Sequence, residues 1–169
     1  MKARSVLRLF AFFLCVCFVY PLGGCTTARE DYFAPLRAPY RAQIEGRLHG
    51  VDLCAELVAD AAREDGARAL TLTFYAPEAL VDTTLSQDAD STLRLCAGEL
   101  ALQGAAAQRL LPLLTILPSG GEIRGVSLTE QGHTRIQGED FVLDLLPDGT
   151  PYRVQTAVAE VTVVSFEAR

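Results

Sequence analysis

Apolar and polar residues alternate along most of this chain, and the alternation predicts strands. In Val51-Asp52-Leu53-Cys54-Ala55-Glu56-Leu57 the large apolar side chains fall on odd positions and mostly polar ones on even positions, as in a strand with one face in a core and one in water. Arg68-Ala69-Leu70-Thr71-Leu72-Thr73-Phe74 repeats the pattern, and Glu64-Asp65-Gly66 before it supplies a glycine-containing turn, so the two runs are expected to pair antiparallel. Pro77 to Val81 reads as a short helical turn or a loop, and a further strand follows over Ser91 to Gln103, with Gly98 as a candidate bulge. Strand signals return at Glu122 to Glu130, Thr134 to Gln137, Asp140 to Leu146, Tyr152 to Ala157 and Ala159 to Phe166. Pro147-Asp148-Gly149-Thr150-Pro151 is a strong hairpin turn, because Asp-Gly accepts the positive φ a tight hairpin needs.

One segment breaks the alternation. Between Ala105 and Leu117 the apolar residues crowd together, with only Gln108 and Arg109 polar up to Leu114, which predicts one apolar helix buried nearly all round. Pro112 either kinks it or confines it to Ala105 to Leu111. The expected fold class is therefore α+β: a curved antiparallel sheet of about eight or nine strands with one apolar helix packed on its concave face.

The N-terminus carries a different signal. Lys2, Arg4 and Arg8 precede an apolar stretch from Leu9 to Val19, in the order of a secretory signal peptide. That stretch is short of the roughly 20 residues that span a bilayer. It ends in Leu22-Gly23-Gly24-Cys25, which reads as a lipobox: cleavage before Cys25 and lipidation of its thiol. Two acyl chains, at about 0.8 kcal/mol per buried methylene, suffice for stable anchoring where one is marginal. Three segments follow from this reading, a lipoprotein signal peptide over 1–24, the lipidated cysteine and a proline-punctuated tether over 25–41, and a β domain over 42–169. The chain is expected on the extracytoplasmic face of a bacterial membrane.

Removal of residues 1–24 leaves 12 arginines against 21 acids, a net charge of −9 with no lysine. Such a surface excludes nucleic acid as a partner, which needs a basic footprint, and leaves membrane attachment to the anchor. Of five cysteines, Cys15 and Cys17 leave with the signal peptide and Cys25 is lipidated. Cys54 and Cys96 remain, either as a disulfide formed outside the cytosol or as two separate thiols.

Catalytic chemistry is not expected. His49 and His133 are the only histidines, and neither stands at metal-ligand spacing from another donor. The serines lack a Gly-x-Ser-x-Gly context, Gly120-Gly121 is not followed by Lys-Ser/Thr, and Glu56, Asp60, Glu64 and Asp65 read as a solvated strand face and its turn. No cofactor and no metal are called for.

The run Gly138-Glu139-Asp140-Phe141-Val142-Leu143-Asp144-Leu145-Leu146-Pro147-Asp148-Gly149-Thr150-Pro151-Tyr152-Arg153-Val154 has the form G-x-x-F-x-L-x-L-x-x-x-G-x-P-x-x-V. Together with the lipobox, the tether and the order of strands and helix, it resembles the LolA/LolB-like (lipoprotein localisation factor-like) superfamily. That resemblance implies a half-barrel whose curved sheet and helices enclose an apolar cavity. Its members include carriers of lipoprotein acyl chains, lipid-binding lipoproteins, and germination lipoproteins of spore formers that bind a partner enzyme. In this chain Leu70, Leu72, Phe74, Leu93, Leu95, Leu111, Leu114, Leu117, Phe141, Leu143 and Leu145 would line the cavity, and each serves equally as ordinary core. Two functions are carried forward: binding of a lipid or another apolar ligand, and non-catalytic docking of a protein partner in the envelope.

Overall fold

Eleven strands, each antiparallel to its neighbours, form a single open sheet. The computed structural model describes residues 31–104, 108 and 110–169; the signal peptide, the lipobox Leu22, Gly23, Gly24 and Cys25, and the first tether residues lie outside them. Tyr32–Arg169 is one compact unit. It starts with a helical turn α1 (Ala34–Arg37), followed by β1 (Tyr40–Leu48), β2 (Val51–Ala59), β3 (Leu70–Ala76), a 3-10 turn (Glu78–Leu80), β4 (Thr83–Gln87), β5 (Leu93–Ala97) and β6 (Leu100–Gln103). The second half comprises α2 (Leu111–Leu114), β7 (Ile123–Leu128), β8 (Thr134–Gly138), β9 (Phe141–Leu145), β10 (Pro151–Thr156) and β11 (Ala159–Ala168).

The order across the sheet is β6-β5-β4-β3-β2-β1-β11-β10-β9-β8-β7. It is two meanders, β1 to β6 and β7 to β11, joined at the centre by β1 against β11. That joint is tight at Gly46, where a β-carbon would sit 2.1 Å from the carbonyl oxygen of Glu160. The connection from β6 to β7 links the two open edges. Part of it crosses the apolar face, because Leu113, Leu114, Ile116 and Leu117 are all buried there.

The sheet is curved, and α1 shows it. In a flat sheet β3 and β9, five strands apart in the order, would stand about 24 Å from each other. Yet this single turn reaches both ends: the Phe33 ring packs edge-on to Phe141 of β9 with centroids 5.9 Å apart, and the Leu36 carbonyl accepts a 2.7 Å hydrogen bond from Nη1 of Arg68, just before β3. The crossing segment runs over the same interval, since Gly120 borders the same opening as Leu70 while Gly121 closes on the Phe141 ring. One face of the sheet is apolar and enclosed (Tyr40, Ala42 and Ile44; Leu53, Ala55 and Leu57; Leu72 and Phe74; Leu143; Val154; Val161 and Val163), while the other carries the charges.

Three expectations are corrected here. Among the described residues the fold is nearly all β, not α+β; the sheet has eleven strands, not eight or nine; and no helix lies packed on its concave face. Among the described residues of the expected Ala105 to Leu117 helix, Gln108 is helical and a separate single turn of α-helix covers Leu111–Leu114. Pro112 sits in its first turn, where a missing N–H costs nothing, and the same ring bars a helix from continuing through it from upstream. From Leu113 to Leu117 the apolar residues are buried, as their composition requires, but in one helical turn followed by a turn and a bend. The strand count rises because Ser91 to Gln103 is a hairpin of two strands turning at Gly98 (φ +58°), and because Thr83–Gln87 is a strand. That strand shows only Leu85 as a large apolar residue.

Candidate functional site

The apolar face is almost filled by its own side chains. Of the eleven residues assigned to a cavity, Leu70, Leu72, Phe74, Leu93, Leu114, Leu117, Leu143 and Leu145 are buried in the core, and Leu95, Leu111 and Phe141 are half-buried against it. The sheet brings them together from β3, β5 and β9, and the crossing segment adds the rest. Phe141 is held in place by absence of side chain nearby: a β-carbon on Gly138 would meet its ring at 2.3 Å, and one on Gly121 at 3.1 Å. The Gly138-x-x-Phe141 spacing is thus a packing device.

An opening remains at one end of this core. A cavity of about 400 Å³ lies between the start of β3 and the chain after α2, lined by Arg68, Leu70, Leu114, Leu117 and the rim residues Thr115 and Pro118 to Gly120. It is at the small end of the range of roughly 300–1,000 Å³ typical of ligand pockets. Its floor is leucine, and the cation of Arg68 stands at its wall. Arg68 was missed by a search for apolar residues, although the sequence holds the signal: it has the same parity as Leu70, Leu72 and Phe74, so it faces inward.

Arg68 also lies over a second inward group. Its guanidinium carbon is 5.6 Å from the ring centroid of Tyr40. Tyr40 is fully buried, and its hydroxyl has no hydrogen-bond partner. Burial pushes the phenol up to about 12, and the nearby Arg68 charge and N–H groups pull it the other way by a smaller amount.

The opposite face is a lattice of paired charges. The strand registers bring Arg135, Asp144, Arg153, Glu160, Arg47 and Asp52 into one band of alternating sign from β8 to β2. Arg135 holds Asp144 with two bonds of 2.7 and 2.9 Å, Arg153 bonds Glu160, and Arg47 meets Asp52 at 2.7 Å. A shallow depression of about 600 Å³ on this face is lined by Glu45, Arg47, Asp52, Cys54 and Val164, and its charged pair is already closed on itself.

Cys54 and Cys96 are free thiols, so of the two readings kept open for them the structure has the separate one. They lie on β2 and β5 with β3 and β4 between, roughly 14 Å at the usual strand spacing, too far for a disulfide. Among the described residues no three metal-binding side chains cluster, and His133 instead packs edge-on to Tyr152 with centroids 4.7 Å apart. No described helix is long and apolar enough to cross a membrane.

No protein-family model and no curated protein matches the chain. Solved structures do. An uncharacterised conserved protein from Thermus thermophilus superposes with a TM-score of 0.52 at 16% identity, covering 80% of this chain and 81% of that one. MucB superposes with a TM-score of 0.51 at 14% identity, covering 86% of this chain and 60% of MucB. In fold the chain is similar to MucB. A LolA superfamily protein from Nitrosomonas europaea also stands among the neighbours, at a TM-score of 0.42 and 8% identity, a likeness too slight to carry weight. MucB has in addition been solved in complex with MucA(peri).

Proposed function

We propose that this protein is a non-catalytic lipoprotein, anchored through Cys25 to the extracytoplasmic face of a bacterial membrane, whose domain binds one apolar chain with an anionic head. The carrying observation is the cavity at the open end of the core, with Leu70, Leu114 and Leu117 against the chain and Arg68 beside the head. Its size suits a single chain, because the remaining apolar face is taken up by the protein's own core. An arginine in such a place supplies a planar, permanently charged fork for a carboxylate or phosphate.

The test is titration of the mature chain with a fluorescent fatty-acid probe. Saturable one-to-one binding is expected. Ser119→Trp, at the exposed rim, should block the opening without touching the core. Arg68→Gln should weaken binding roughly tenfold or more, since a charged hydrogen bond is worth about 1.5–3 kcal/mol. Binding that ignores Ser119→Trp would overturn the assignment.

A second reading, docking of an envelope protein, is favoured by MucB, which shares the fold and takes MucA(peri) as a partner.

A further inference from the structure

The two edges of the sheet share three properties. First, β6 is paired with β5 alone and β7 with β8 alone, so each presents an unpaired row of backbone N–H and C=O groups. Second, both end the inward-facing row with exposed apolar side chains: Leu100 is 75% and Leu102 55% exposed on β6, and Val126 45% and Leu128 76% on β7. Leu102 lies opposite Leu95, and Val126 opposite Ile136, so these residues continue the rows of the core outward until it runs out of strands. Third, the edges run in the same direction, because eleven strands alternate in sense from one to the other. A strand of the opposite direction is therefore antiparallel to whichever edge it meets.

The charges at this open side specify the occupant further. β6 carries no charged residue, and Arg124, the one cation of β7, is held by Glu139 at 2.8 Å. Arg94, on the neighbouring strand β5, faces outward with the polar row. The groups flanking the edges are acids: Glu99 immediately before β6, Glu122 immediately before β7 and Glu130 just after β7, none of them in an ion pair among the described residues. Glu99 and Glu122 stand at the starts of the two edge strands, where an antiparallel guest has its C-terminal end. Natural sheets protect an edge with inward charges, prolines or a cover, and β6 has neither charge nor proline. A second copy of this chain fits less well: an antiparallel pair of β7 strands would bring Glu122 against Glu130, and a pair of β6 strands would leave Glu99 facing the uncharged end at Gln103.

We propose that the open side of the sheet accepts an extended segment of a partner protein as an added antiparallel strand. The segment has alternating apolar side chains, no proline within it, and basic residues at its C-terminal flank. Backbone hydrogen bonds supply the affinity, the alternate side chains cover Leu100, Leu102, Val126 and Leu128, and the basic flank meets Glu99 and Glu122. This inference rests on the docking reading and is independent of the ligand cavity.

The experiment uses the full mature chain and a synthetic peptide alternating threonine and valine with lysines at its C-terminal end, with amide exchange as the readout. Slowed exchange over 100–103 or 123–128, and binding weakened at least tenfold by Leu102→Lys with Leu128→Lys, are expected. Both positions are exposed, so the variants should fold. Replacing the lysines by glutamates, or the central valine by proline, should weaken binding as strongly. No protection at either edge overturns the proposal, and so does edge protection that appears without peptide as the chain is concentrated, which would make the occupant a second copy. Photo-cross-linking in the native membrane from Leu102, Leu128 and, on the opposite face, Val164 separates the two levels. A partner captured only through Val164 keeps the docking reading and removes the strand; none from any position removes both.

Discussion

Tyr40 is the residue whose chemistry is most exposed to test. Its phenol is buried with no partner for the hydroxyl, and an unsatisfied buried hydroxyl costs about 1–3 kcal/mol. Tyr40→Phe is therefore expected to stabilise the fold by about 1 kcal/mol in urea denaturation, with the stack on Phe166, 5.2 Å between centroids, retained. The pH dependence has a definite sign. The folded state holds the proton more tightly than the unfolded one, raised from 10.0 to about 12, so the contribution is complete below pH 10 and is lost as the pH rises toward 12. The wild type should lose roughly 2–3 kcal/mol across that window, and Tyr40→Phe should lose less. Equal alkaline losses in both would remove Tyr40 as the source. Arg135 and Asp144 give a second prediction at this scale. Asp144 has a side chain only 7% exposed and is gripped at both oxygens by Arg135, which is 40% exposed. Arg135→Ala should cost about 1–2 kcal/mol, below the 3–5 kcal/mol of a fully buried pair because water reaches the arginine.

Among the elements, the joint between β1 and β11 matters most, because it alone holds the two meanders in one sheet. A β-carbon at Gly46 would meet the Glu160 carbonyl oxygen at 2.1 Å and the Val161 α-carbon at 2.7 Å, both backbone atoms that cannot swing aside. Gly46→Ala should therefore destabilise by more than about 2 kcal/mol and slow the assembly of the central pair, read by denaturation and by amide exchange over 40–48 and 159–168. At this scale the sequence was legible wherever a strand had one wet and one dry face. Which face of β2 and β3 turns inward follows from the parity of their apolar residues, and the Asp148-Gly149 turn from its chemistry; the register shifts at Cys54/Ala55, Ile123/Gly125 and Pro151/Arg153 do not. It was illegible where local composition and tertiary burial disagree. The run from Leu110 to Leu117 looks helical because it is uniformly apolar, but what makes it apolar is its passage across a core, and Pro112 leaves it one turn. Thr83–Gln87 is polar enough to resemble a loop, yet it gains its place from neighbours on both sides.

At the scale of the β domain, Tyr32–Arg169, the apolar face of the sheet is mostly committed to the domain's own core, and the opening beside Arg68 lies at its margin. The eleven apolar residues read from the sequence all lie in or against the core, and only Leu70, Leu114 and Leu117 border the opening, because a list of apolar residues cannot say how much room they leave. The volume depends on the crossing segment, and the informative side chain, Arg68, is charged. The fold shared with MucB and with the Thermus thermophilus protein rests on this sheet. Occupancy of the cavity is the central claim, and native mass spectrometry of residues 26–169, purified without the anchor and extracted for lipid, tests it most directly. One acyl species per chain, retained by the wild type and absent from Ser119→Trp, is the expected result. A clean mass for the empty chain that also fails to take up added fatty acid would contradict it.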